Sequence, residues 1–186
     1  MTAFERAELC HELADAVKER IDGLVEWLSA DQGKPLAEAE GEVDLVATTF
    51  REAGENAKRA NTEVMPSQHP EKEVKTLRKP HSVYGVITPW DFLLGTAIEY
   101  LAHGIAIGNT VVWAPAPMTT AVCAKFVEVL AETSLPDGVL NFVTGDGPVV
   151  GDEFVVNNDV GAIAFTGSTA TGAEISSESG FKPTVL

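Results

Sequence analysis

The sequence predicts an open α/β fold, a parallel sheet with helices on both faces, preceded by an N-terminal helical region. Three observations predict it. Apolar residues recur at helical spacing through roughly the first sixty positions. From Val83 onward, short apolar runs alternate with longer amphipathic ones. The connections between them are short and carry Gly, Pro and Thr. With 186 residues, 45% of them hydrophobic, the chain can bury one sizeable core.

Thr2 and Glu5 fit a capping box that starts the first helix. Leu9, Leu13, Val17, Ile21, Leu24 and Leu28 then fall on one face of a single helix ending near Ser29. Gly33 closes that region, and Pro35 suits the first turn of a second helix over about 35–60. Its inward residues are Leu36, Val43, Val46 and Phe50. The acidic run from Glu38 to Asp44 reads as a solvated face, with a metal-binding cluster the less favoured alternative. Residues 61–70 read as a polar linker. Segments 73–78 and 82–87 alternate around Lys79-Pro80-His81, as two strands or one bent strand would. Strands are then expected at 83–87, 110–113, 140–143 and 162–165, and helices at 94–107, 119–132, 148–156 and 169–179.

Asp and Glu outnumber Lys and Arg 28 to 13, giving a formal charge of −15. Nucleic acid and anionic membranes demand positive surface, so both are excluded as partners. No apolar run is long enough to span a bilayer and no leader pattern opens the chain, so a soluble, cytoplasmic protein is expected. The acidity further suggests a halophilic one, its self-repulsion screened by salt. Cys10 and Cys123 stand in helical patterns without CxxC spacing and read as small core residues. His103 reads as packed or partly exposed, and His11, His69 and His81 as surface residues, with no metal site among them. Trp27, Trp113 and Phe126 fit core positions.

The chemistry-bearing stretch is VGAIAFTGSTATG, residues 160–172. It reads as a buried strand that breaks at Thr166-Gly167 and restarts as a helix near Thr169. Strand, glycine turn and helix aim free backbone N–H groups and a positive dipole end at an anion. Ser168 and Thr169 add hydroxyls or cap the helix, and Gly167 and Gly172 permit close approach. The run GDGPVVG, residues 145–151, nearly spells a dinucleotide fingerprint, but its third glycine falls one place late. Pro148 also removes a donor there. It reads as a tight βα turn, with Gly147 and Gly151 walling the adenine side of a cofactor rather than cradling its pyrophosphate.

Together with ITPWDF (87–92), IAIGNTVVWAPAP (105–117), LPDGVLNFVTGDGPVVG (135–151) and DQGKPLAEAEGEV (31–43), this stretch resembles the cofactor-binding half of NAD(P)-dependent aldehyde dehydrogenases. The resemblance implies a Rossmann-like sheet of the aldehyde dehydrogenase type. It divides the chain into a helical region (1–62), a linker and β-arm used in subunit assembly (63–82), and an incomplete dinucleotide-binding domain (83–186). It implies NAD or NADP as cofactor, contacted by Ile87, Thr88, Pro89, Trp90, Ala114, Gly147, Gly151, Phe165, Thr166, Gly167, Ser168, Thr169 and Gly172. Trp90 is expected across the pyrophosphate from the 167–172 turn.

Three departures from the family pattern matter. Asp91 stands where the family has an Asn whose amide donates to the reaction oxyanion; an ionised carboxylate has no proton to give. Ala114 and Pro117 replace a Lys and a Glu that reach the adenosine ribose, which weakens cofactor binding. The sequence stops at Leu186, before the family's general-base Glu and nucleophilic Cys, so the chain alone is expected to be catalytically incomplete. Three roles remain open. The chain is a portion of an enzyme oxidising an aldehyde to a carboxylic acid, a non-catalytic dinucleotide-binding module, or an assembly module. The last forms a homo-oligomer or pairs with a complementary catalytic chain through an apolar sheet edge near Val185.

Overall fold

The structure, a computed structural model, describes residues 1–60 and 62–186. Asn61, which opens the expected linker, lies outside the described residues. Helix α1 (Ala3–Glu19) starts as its sequence requires: the Thr2 hydroxyl accepts from Glu5 N–H at 3.2 Å, and the Glu5 carboxylate accepts from Thr2 N–H at 2.5 Å. The expected single helix to Ser29 is two. Arg20 leaves helical geometry (φ −109°, ψ 15°) and α2 (Ile21–Gln32) sets off afresh. The apolar stripe does not register a one-residue break, because Leu9, Leu13 and Val17 on one side and Leu24 and Leu28 on the other are still buried. Helix α1 lies mainly along α3, and α2 packs against both α3 and α5.

After Gly33, in the left-handed region at φ 69°, α3 (Leu36–Ala57) buries Val43, Val46 and Phe50. Two expected core residues are not in the core. Leu36, the first residue of α3, is 60% exposed, and Trp27 is 44% exposed, its ring lying under the Lys125 ammonium. The acidic run departs from a solvated face at one residue: Glu42 is buried. The linker is not irregular throughout. Strand β1 (Glu63–Met65) pairs antiparallel with β2 (Val74–Thr76), Glu63 opposite Thr76 and Met65 opposite Val74. The partner of β2 is therefore β1 and not the segment after His81; strands of three residues are too short to show a period of two.

The main sheet is parallel throughout, in the order β5 (Leu140–Phe142), β4 (Thr110–Pro115), β3 (Val83–Thr88), β6 (Val160–Phe165), β7 (Thr184–Val185). Helices α4 (Leu93–Ala106), α5 (Thr120–Ala131), α6 (Gly147–Val156) and α7 (Thr169–Glu178) connect it, each boundary within two residues of expectation. Alternation divides the strand residues between two faces. Val86, Val111, Trp113 and Ala164 join a core shared with α1 to α5. Ile87, Val112, Ala114, Ile163 and Phe165 face α6 and α7. Trp113 is the largest fully buried side chain, edge-on to Phe126 and Phe142. Strand β7 closes the sheet as an edge, with Val185 52% exposed.

Cys10 and Cys123 are both 0% exposed, as core residues should be. Burial pushes the Cys10 thiol from 9.0 up to about 11, and desolvation with nearby Asp31 pushes that of Cys123 higher still. Both groups stay protonated in the folded chain after the unfolded chain has begun to ionise. Their contribution to stability is complete below about pH 9 and is lost as pH rises through the folded values. The urea midpoint should therefore fall faster above pH 9 in the parent than in a Cys10→Ala/Cys123→Ala variant. Equal slopes would show that the thiols are not desolvated as the fold requires.

Candidate functional site

From β3 the chain passes through α4 to β4, beyond one edge of β3, and later returns to β6 on its other side. The strand order reverses there, and a crevice opens at the carboxyl ends of β3 and β6. A cavity of about 290 Å³ occupies it. Ile87, Thr88, Pro89, Ala114, Gly147, Gly151, Phe165, Thr166, Gly167 and Ser168 line this chamber, and so does Pro117. A second chamber of about 340 Å³ runs on between α6 and α7, sharing Ile87, Gly147, Gly151, Phe165 and Thr171 with the first. Its outer wall carries Asp152, Glu174 and Glu178 beside Pro148, Val155 and Ile175.

Two helices begin at the first chamber. Ser168 is the N-cap of α7, its hydroxyl accepting from Thr171 N–H at 3.2 Å. In a helix so started, the N–H groups of Thr169 and Ala170 have no partner within the helix and remain for a ligand. Helix α6 starts differently: Pro148 removes one N–H from its first turn, and the Asp146 side chain makes no capping bond. Gly167 is required by its neighbour, since a Cβ there would come within 2.5 Å of the Phe165 ring. Gly172 rests on the same ring.

Two predicted residues spend their hydroxyls elsewhere. The Thr88 side chain, 2% exposed, accepts from the Trp113 indole N–H at 2.9 Å, and its carbonyl accepts from Ala116 N–H at 3.0 Å. Thr166 shares a 2.8 Å hydrogen bond with the Tyr100 hydroxyl. Trp90, Asp91, Thr169 and Gly172 do not line either chamber. Trp90 is 55% exposed and Asp91 is exposed beside it, both past Pro89 at the surface. Val150 and Thr171 line the first chamber without having been singled out from sequence. Each stands three residues into a helix from Gly147 or Ser168, and that helical spacing is the signal for them. No charged side chain lines the first chamber among the described residues, and neither thiol borders either chamber.

A doubly wound parallel sheet with a crevice at its strand reversal is the architecture of α/β proteins that seat ligands on helix N-termini. Residues 1–186 match the model of the aldehyde dehydrogenase family, and the chain belongs to that family. It is 35% identical over 175 residues to the betaine aldehyde dehydrogenase of Bacillus subtilis (strain 168), covering 94% of this chain and 36% of that protein. It is 38% identical over 186 residues to the lactaldehyde dehydrogenase of Methanocaldococcus jannaschii, covering 98% of this chain and 40% of that one. Among solved structures, an NAD-dependent benzaldehyde dehydrogenase from Corynebacterium glutamicum superposes with TM-score 0.94 at 31% identity, over 100% of this chain and 42% of its own. A betaine aldehyde dehydrogenase point mutant from Staphylococcus aureus in complex with NAD+ superposes equally well, TM-score 0.94 at 29% identity, over 100% of this chain and 37% of its own. The chain thus spans 36% and 40% of the length of these two curated relatives.

Replacing Thr88 by Val would strand the Trp113 indole N–H inside the core. Such an orphaned donor costs about 1–3 kcal/mol, which chemical denaturation of Thr88→Val should register. A loss well below that range would mean the indole finds another acceptor.

Proposed function

We propose that this chain is the dinucleotide-binding portion of an aldehyde dehydrogenase, and that the two-chambered crevice is its NAD(P) site. The observation that carries this reading is the start of α7. Ser168, which caps the helix, lines an uncharged chamber at the switch point, and the next two N–H groups of α7 have no partner within the helix. In this reading the pyrophosphate sits on the Ser168–Ala170 turn, and the adenosine extends into the chamber between α6 and α7. When bound, the cofactor supplies a hydride acceptor, and the whole protein would convert an aldehyde to a carboxylic acid. Thr88 and Thr166 hold the walls through Trp113 and Tyr100 and do not reach for the ligand. Ala114 and Pro117, which border the chamber, contribute no polar contact to a ribose.

The outer chamber also bears on cofactor choice. Asp152, Glu174 and Glu178 line it, with no cation among its lining residues. Carboxylates accept from a ribose hydroxyl and repel a ribose phosphate, so we infer NAD in preference to NADP. Asp91 favours a second reading, a module that holds the dinucleotide without chemistry, because a carboxylate at the oxyanion-donor position opposes the developing charge.

Calorimetric titration tests both points. NAD+ should bind the chain more tightly than NADP+, and Gly167→Val should weaken NAD+ by about tenfold or more, roughly 1.4 kcal/mol. Heats that stay flat to millimolar NAD+ would overturn the cofactor site. For catalysis, in a form of the protein that also holds a reactive thiol and general base, Asp91→Asn should raise turnover by about 10²–10³. Steady-state kinetics check this, and unchanged turnover would remove Asp91 from the oxyanion position.

A further inference from the structure

We propose that Gln32, Lys34 and Glu42 are positioning residues. They form a strap from the N-terminal helices that holds the Pro89–Phe92 turn beside the crevice. The inference rests on the cofactor-site reading only for the functional consequence of that turn.

Glu42 projects from α3 with its side chain 0% exposed. Its Oε1 accepts from the N–H groups of Leu94 and Gly95, at 2.7 and 3.0 Å. These are first-turn donors of α4, whose own N-cap residue, Phe92, gives no side-chain bond. A carboxylate from another helix therefore caps α4, and its charge matches the positive end of that helix. Its Oε2 pairs with Lys34 Nζ, itself only 12% exposed. The same ammonium donates to the Asp91 carbonyl at 3.2 Å and lies 5.2 Å from the centre of the Phe92 ring. That ring also lies against Gly95, where a Cβ would overlap it. Gln32 completes the strap, its amide donating to the Trp90 carbonyl.

Residues 90, 91, 92, 94 and 95 are thus each held by one of three side chains that lie more than fifty positions earlier. The turn needs this support because Trp90, Asp91 and Phe92 are all exposed and bury little of their own. Pro89, at the base of the turn, lines the first chamber. The strap sets the chamber's rim on that side and the direction from which the residue at position 91 approaches it.

Amide hydrogen exchange on the 186-residue chain, with 5-fluorotryptophan as a reporter of Trp90, tests this. Lys34→Met removes the charge and the donors at similar length. Exchange over residues 90–95 should rise by about tenfold while the amides of β3 and β4 keep their rates. Lys34→Arg should restore the parent pattern and the Trp90 fluorine shift. Gln32→Ala touches neither buried charge, so it decides the matter if Lys34→Met opens the whole chain; its exchange should rise at residues 90–92 alone. NAD+ should bind Lys34→Met about fivefold more weakly than the parent. Parent-like exchange over 90–95 in Lys34→Met and in Gln32→Ala would overturn the strap. A parent chain that binds no NAD+ would overturn the cofactor reading alone, and the exchange comparison would still judge the strap.

Discussion

Every other feature of the candidate site depends on the parallel pairing of β3 with β4 on one side and β6 on the other. Val86 is opposite Trp113 across one ladder and opposite Ala164 across the other, and all three side chains point into the same core. Shifting either ladder by one residue would turn every strand residue to the wrong face. The register thus fixes the crevice as well as the core. Thr88, Pro115 and Phe165 end their strands at one edge, and the turns that follow open there together.

The N-terminal helices are part of the same solid. One buried cluster runs from Leu9 and Leu13 through Val43 and Phe50 to Leu94, Ile98 and Trp113, with α4 on β3 and β4 and the N-terminal helices forming a layer against α4. Within that layer the Glu42–Lys34 pair is a polar anchor. Burying a carboxylate is costly unless its oxygens are satisfied, and here two backbone N–H groups and an ammonium do so. The same bonds cap a helix that has no cap of its own. Such an anchor specifies one position of α4 relative to α3, which apolar contacts alone would leave free to slide.

Charge is distributed unevenly with respect to the crevice. The chain carries a formal −15, yet the first chamber is lined by backbone, hydroxyls and apolar groups without a charged side chain. An anion there would be held by helix N–H groups instead of by Lys or Arg, and a dipole end is strongest where few water molecules compete with it. The carboxylates stand further out, around the chamber between α6 and α7.

Period and punctuation in the sequence determined much of this protein. Alternating apolar runs marked β3, β4, β5 and β6, the Thr2–Glu5 box marked the start of α1, and Gly167-Ser168-Thr169 marked the start of α7. These signals are local: a strand, a cap or a turn is written in residues a few places apart, so single-chain reading reaches them. Tertiary structure decided what depends on distant partners. Glu42 looks like one more solvated carboxylate until Leu94 and Gly95 are brought against it, and nothing near Thr88 in sequence shows that its hydroxyl accepts from Trp113. Trp27 and Leu36 match core spacing but stay at the surface, and β1 and β2 become strands only by pairing with each other. Burial and hydrogen bonding belong to pairs, and the second member of each pair is chosen by the fold.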